Sequence, residues 1–195
     1  MTDDDGDAIR EISTTILSDR WVRLTRHEFE RQHRDGSRQT HVREVHDHGN
    51  GVACLLHDAH ADTLLLTRQF RLPVHLSGQL EHLIEVPAGL MEGDDKGAQM
   101  QKELLEETGY QASDLRQVLE TFMSPGSVTE QVTFFVGTYD KSNPQGPGGG
   151  NSEEGEDIEV LHMPVTEARA MLLGGRIRDG KTAILLQHFF LITYR

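Results

Sequence analysis

The chain is poor in cysteine, tryptophan and aromatics generally: one Cys, one Trp and 6% Phe, Trp and Tyr among 195 residues. A lone Cys54 excludes an intrachain disulfide. Its place in the run Val52-Ala53-Cys54-Leu55-Leu56 marks it as a buried small hydrophobe, compatible with a reducing compartment. Basic charge is also scarce. With 19 Lys and Arg against 32 Asp and Glu the net charge is −13, which excludes a sequence-neutral clamp on DNA or RNA, because phosphate backbones need a basic surface. The acidic balance favours divalent cations instead. No apolar run approaches the roughly 20 residues that span a bilayer, and Met1-Thr2-Asp3-Asp4-Asp5 lacks the basic and apolar regions of a signal peptide. A cytoplasmic protein is expected, with neither nucleic acid nor membrane as partner. At roughly 150 residues per domain, the length predicts about one domain with an extra lobe.

The Asp3 to Asp7 run reads as a frayed tail. Ile12 to Arg31 meets a second polar run, Arg38 to His46, across Arg34-Asp35-Gly36-Ser37, where Asp-Gly is a hairpin signal. Such a hairpin buries too little to stand alone, so residues 1–48 are read as an appended lobe and 49–195 as the main domain. Val52 to Leu56, Thr63 to Phe70, Ile84 to Gly89, Val118 to Phe122, Val132 to Tyr139 and Ile158 to Met163 read as strands. Helices are expected up to Glu107, over Val165 to Leu173 and over Lys181 to Ile192. The first has Asp94 or Asp95 as N-cap and Gly109 at C′. Asn143 to Asp157 reads as a mobile glycine-rich loop with a dense acidic end. The mixture predicts an α+β fold, an α/β/α sandwich.

Glu103, Glu106 and Glu107 stand at i, i+3 and i+4, so three carboxylates share one helical side and repel. On an ordinary surface helix this would be a solvated acidic face, helped by pairing of Lys102 with Glu106. A hard divalent cation between the carboxylates would remove the repulsion.

The segment Gly89-(five residues)-Asp95-(six residues)-Lys102-Glu103-Leu104-Leu105-Glu106-Glu107-Thr108-Gly109 resembles the signature of the Nudix hydrolases. The general family pattern has Glu in place of Asp95, seven intervening residues rather than six, and Arg in place of Lys102. Ser124-Pro125-Gly126 resembles the marker of the ADP-ribose and nucleotide-sugar branch. Arg43-Glu44, Gly49-Asn50-Gly51, Arg68-Gln69-Phe70-Arg71, Ser77-Gly78-Gln79-Leu80, Gly148-Gly149-Gly150, Glu156-Asp157-Ile158-Glu159-Val160 and Ile177-Arg178-Asp179-Gly180-Lys181-Thr182 are similar to the GDP-mannose pyrophosphatase subgroup.

The resemblance implies a Nudix fold and a homodimer with exchanged N-terminal strands. It implies Mg²⁺, with Mn²⁺ as substitute, bound by the Ala88 carbonyl, Glu103, Glu107 and Glu156, with Glu106 in support. Catalysis is expected from Glu103, Glu106, Glu107 and Glu156, the base lying on the Glu153 to Glu156 loop, where Glu153 or Glu154 is an alternative to Glu156. Substrate contacts are expected at Trp21, Val42, Arg43, Glu44, Arg71, Ala88, Gly89, Leu90, Glu130, Glu156 and Lys181; Val42 stands where close members are basic. Trp21 is either a stacking platform for a base or a packing anchor under the hairpin. The implied activity is hydrolysis of GDP-mannose to GMP and mannose 1-phosphate. ADP-ribose hydrolysis, a non-catalytic nucleotide-sugar module and a purely structural cation site are the competing expectations. Retention of all three helix carboxylates favours the enzyme.

Overall fold

The computed structural model describes residues 9–78 and 82–193. The acidic tail and the Gln79-Leu80 part of one motif therefore lie outside the described residues. The chain separates into two compact units, one comprising the chain up to Asn50 with Phe122–Gln131, the other Gly51–Thr121 with Val132–Arg195.

In the first unit, β1 (Ile9–Asp19), β2 (Arg23–Gln32) and β3 (Arg38–Asp47) form an antiparallel sheet in the order β1-β2-β3. The expected single hairpin is thus corrected to a three-stranded meander. The break within Ile12 to Arg31 falls at Arg20-Trp21-Val22, which carries no Gly, Pro or Asn to announce it. The second turn is as expected: Gly36 has φ 83° and donates its N–H to the His33 carbonyl at 2.9 Å. Ile9, Ile12, Ile16 and Leu17 of edge strand β1 are exposed.

In the second unit the sheet order is β10-β5-β4-β9-β8, with β6 beside β5 and β7 beside β4. The strands are β4 (Gly51–Asp58), β5 (Thr63–Phe70), β6 (His82–Glu85), β7 (Ala88–Leu90), β8 (Ser113–Phe122), β9 (Gln131–Thr138) and β10 (Glu159–Pro164). The β4–β9 pair is parallel, while β5 is antiparallel to β4, β6 and β10. The strand expected over Ile84 to Gly89 is divided at Val86-Pro87, and β8 begins earlier than Val118. Alternation along β4 places Val52, Cys54 and Leu56 with Met100 and Leu104 of α2 (Lys96–Thr108). The intervening Ala53 and Leu55 are equally buried, and α4 (Gly180–His188) contacts β4 and β6. Helices on both faces explain why β4 and β5 read as continuous apolar runs. Burial also pushes the Cys54 thiol pKa up.

The remaining helices are α1 (Leu72–Leu76), which was not expected, and α3 (Val165–Leu173), packed on β5, β10 and α4. The helix expected through Ile192 ends at His188 and continues as a π-helical turn, Phe189–Thr193, with Phe189 edge-on to His57. Among the described residues no helix is long and apolar enough to cross a membrane.

Candidate active site

Helix α2 starts and stops where its sequence directs. The Asp95 side chain accepts from the Gly97 and Ala98 N–H groups, and Gly109 closes the helix with φ 77°. Asp95 therefore serves as a cap. Lys102 instead bridges to Glu92 of the preceding loop at 2.6 Å, while Gln99 accepts from the Glu92 N–H.

One side of α2 faces β7. Glu107 is buried and its Oε2 accepts the Ala88 N–H at 3.1 Å. Glu103, half-buried, accepts from Gln99 Nε2 at 2.7 Å and lies against the Gly89 backbone.

The glycine-rich segment does not behave as the loose loop expected of its composition. Gln145 and Gly146 donate to the Gly109 carbonyl, Gly149 to Glu107 and Gly150 to Glu106, so the segment caps the terminal carbonyls of α2. Gly148 has φ 62°, and a Cβ there would stand 2.6 Å from the Thr108 carbonyl carbon. Only glycine allows the two backbones to approach this closely. After this run, a short 3₁₀ turn at Ser152–Glu154 leads to Glu156, whose Oε2 accepts the Asn151 N–H at 2.9 Å.

Beside the carboxylates stands a cation pair. Arg71 forms a bidentate fork with Glu85, Nε to Oε1 at 2.9 Å and Nη2 to Oε2 at 3.0 Å. Lys181 stands 3.7 Å from Glu85 Oε2 and 2.9 Å from Asp179 Oδ1. Asp179 also caps α4 through the Thr182 N–H. Burial opposes the Arg71 charge, but the fork to Glu85 and the charges of Glu107 and Asp179 outweigh it, so the guanidinium pKa is raised.

Of the sequence-predicted residues, Arg71, Ala88, Gly89, Leu90, Glu103, Glu106, Glu107, Glu156 and Lys181 all belong to the second unit. Trp21, Val42, Arg43, Glu44 and Glu130 belong to the first. Val42, Arg43 and Glu44 lie on β3 opposite Glu28, His27 and Arg26. Trp21 is 90% exposed in the β1–β2 turn, which overturns its reading as a packing anchor. Glu85 and Asp179 were missed as site residues. The available signals were a lone acid in the apolar stretch Leu83 to Val86 and an Asp three residues before Thr182.

Burial drives the Glu107 pKa well above the ordinary 4.5; the Ala88 N–H and Arg71 oppose the shift, and Glu156 and Glu103 add to it. Glu103 is raised chiefly by burial, with repulsion from Glu106 and Glu156 offset in part by Gln99 and Lys102. Such mutually repelling oxygen donors suit a hard divalent cation. Among the described residues no three acidic, His or Cys groups form a ready-made metal site. Glu103, Glu107 and Glu156 are each held by a protein donor, Gln99 Nε2 and the Ala88 and Asn151 N–H groups respectively.

A pH dependence follows. Between the ordinary 4.5 and their raised values, Glu103 and Glu107 hold more protons in the folded chain than in the unfolded one. These two groups should therefore cost the metal-free protein stability as pH rises through that window, while the lowered His162 and His188 act in the opposite sense below 6.5. A divalent cation should relieve the carboxylate cost, increasingly so towards high pH. Calorimetric Tm of the wild type and of Glu107→Gln, in chelator and in Mg²⁺ from about pH 4.5 to pH 8, checks this; a metal-free wild-type Tm that does not fall relative to that of Glu107→Gln as pH rises would refute it.

Residues 8–46 match the family model of the GDP-mannose pyrophosphatase NudK N-terminal domain, and residues 47–186 match the NUDIX domain. The chain is 44% identical over 181 residues to a GDP-mannose pyrophosphatase of Klebsiella pneumoniae subsp. pneumoniae, covering 92% of this chain and 90% of that protein. It is 41% identical over 178 residues to the GDP-mannose pyrophosphatase of Pectobacterium atrosepticum, covering 91% of each chain. A third relative of that name, from Citrobacter koseri, is 42% identical over 178 residues, covering 91% of this chain and 92% of the other. With its carboxylate helix, its glycine-docked acidic loop and a domain match over most of its length, the chain belongs to the NUDIX family.

Proposed function

We propose that this protein is a Mg²⁺-dependent pyrophosphohydrolase that converts GDP-mannose to GMP and mannose 1-phosphate. The observation that carries the reading is the union of four carboxylates, Glu103, Glu106, Glu107 and Glu156, with the Arg71 and Lys181 cations in one unit. The names of the relatives supply the substrate.

A diphosphate is a polyanion and needs neutralisation before attack at phosphorus. In this reading Glu103, Glu107, Glu156 and the Ala88 carbonyl hold the metal, and Glu106 supports them. When bound, the cation supplies charge neutralisation and a more acidic water. Arg71 and Lys181 hold charge that develops on phosphoryl oxygens. Glu156 takes the proton of the attacking water, with Glu153 or Glu154 as the alternative base on that segment, the Glu154 side chain lying outside the described residues. The backbone at Gly89 and Leu90 borders the same place.

Nucleoside recognition falls to the first unit. Trp21 offers an exposed ring for stacking on guanine, and Arg43, Glu44 and Glu130 offer polar contacts, with Val42 an apolar one. The exposed β1 edge, bearing Ile9, Ile12, Ile16 and Leu17, supports a homodimer in which this sheet is shared with a second copy.

The test incubates purified protein with Mg²⁺ and, separately, GDP-mannose, ADP-ribose and other nucleotide sugars, resolving the products by ion-exchange chromatography. GMP and mannose 1-phosphate should be the fastest products. Faster AMP release from ADP-ribose would reassign the substrate, and binding without cleavage would refute the enzyme.

A further inference from the structure

We infer that Glu85, which lies outside the carboxylate helix and the acidic loop, is a positioning residue that fixes the direction of the two substrate-facing cations. The inference rests on the reading of Arg71 and Lys181 as diphosphate contacts.

Three observations converge on Glu85. First, it is 1% exposed, yet both of its oxygens are engaged by cations from different elements. Arg71 follows β5 and Lys181 lies in the first turn of α4. Second, the arrangement has a direction. The Glu85 side chain is 2% exposed, whereas those of Lys181 and Arg71 are 23% and 40% exposed. The acid sits behind, and the cations are presented in front. The fork occupies the Nε–Nη2 edge of Arg71 and leaves anion recognition to its Nη1 side. Third, the frame is tied at the same point, because the Val86 N–H donates to Thr182 Oγ1 at 2.8 Å, joining the strand end to the helix that carries Lys181. Asp179 holds Lys181 from its own side.

A buried carboxylate is tolerated only where well-placed donors satisfy its lone pairs. For Glu85 those donors are the two cations assigned to the diphosphate, and Arg71 also feels the charge of Glu107 in the carboxylate cluster. Glu85 and Asp179 together balance Arg71 and Lys181. Neutralising Glu85 therefore leaves one positive charge in excess within that quartet, so the two cations still attract a polyanion but are no longer aimed. The loss should appear in kcat and not in KM, whereas a merely structural role would lower Tm and leave kcat per folded molecule intact.

The experiment measures kcat and KM for GDP-mannose with Mg²⁺, together with Tm. It uses the wild type, Glu85→Gln, Glu85→Asp, Arg71→Lys and the Arg71→Lys/Glu85→Gln double variant. Both Glu85 variants should lower kcat about thirtyfold, with KM unchanged or reduced, since small misplacements of catalytic donors carry losses of this order. Arg71→Lys removes the fork and should lose at least as much. The double variant should fall no more than about threefold below Arg71→Lys, because the pair acts as one unit. A folded Glu85 variant with kcat within about threefold of wild type, or losses that multiply in the double variant, would overturn the inference. Should Glu85→Gln not fold, Glu85→Asp, which keeps the charge but withdraws it from Arg71, decides on the same kcat criterion. A wild type that cleaves no nucleotide sugar sinks the functional reading and this inference with it. An active wild type with unaffected variants sinks the inference alone.

Discussion

Replacing Glu107 by Gln is expected to lower kcat about a thousandfold while leaving the protein at least as stable as the wild type. The catalytic loss reflects removal of a charged oxygen donor from the proposed cation site, where metal stabilisation of a phosphoryl transition state is worth several kcal/mol, and each 1.36 kcal/mol is about tenfold in rate. The stability effect has the opposite sign. Glu107 is buried, its pKa is raised first by that burial, and Glu156 and Glu103 repel its charge. A neutral amide of the same shape escapes the penalty and can still accept the Ala88 N–H through its carbonyl oxygen. In metal-free buffer at neutral pH, Tm should rise by about 2–8 °C, as expected for relief of about 1–2 kcal/mol in a chain of this size. Functional sites commonly trade stability for activity in this way. Scanning calorimetry and product chromatography on the same preparation check both halves. Activity within about tenfold of wild type would remove Glu107 from the reaction, and a lower Tm would mean that its charge is structural.

What the sequence revealed and what it concealed divide along the range of the interactions involved. Helix α2 was legible because Asp95 and Gly109 act on their own helix ends, and β4 and β5 because burial on both faces leaves a continuous apolar run. The carboxylate cluster was legible for the same local reason, since i, i+3 and i+4 share a helical side. The β1–β2 turn was hidden because Arg20-Trp21-Val22 uses none of the residues that ordinarily mark a reversal. The segment from Asn143 onwards has the composition of a linker. Its order comes from partners more than thirty positions earlier, the end carbonyls of α2, which no local pattern records. Glu85 was hidden in the same way, because its role depends on Arg71 and Lys181, which arrive from a strand end and a distant helix. The glycines and acids were visible as residue types; the tertiary contacts decide which of them are structural and which belong to the site.

Gly89→Ala should separate fold from function most cleanly. Gly89 lies on β7 paired with Val52, and its φ is not in the left-handed region, so its backbone accepts an alanine. The obstacle is a side chain. A Cβ at this position would lie within 2.5 Å of the Glu103 carboxylate atoms. That carboxylate ends a flexible chain and can swing aside, which spares the fold but breaks its bond to Gln99 and withdraws one proposed cation ligand. Tm in metal-free buffer should therefore stay within about 2–3 °C of wild type, an effect of about 1 kcal/mol or less. Activity at low Mg²⁺ should fall at least about a hundredfold, with part of it recovered at high Mg²⁺, as expected when a ligand is displaced and the remaining donors still bind weakly. Gly109→Ala is the contrasting case. There φ is 77° and the added Cβ would overlap the Gly146 carbonyl, a backbone atom that cannot swing away, so the loss should appear as a lower Tm that Mg²⁺ does not repair. Measuring Tm and initial rate across a Mg²⁺ titration for both variants decides the matter. A Gly89→Ala protein with wild-type rates at low Mg²⁺ would show that the Glu103 carboxylate need not lie against this backbone for the metal to bind.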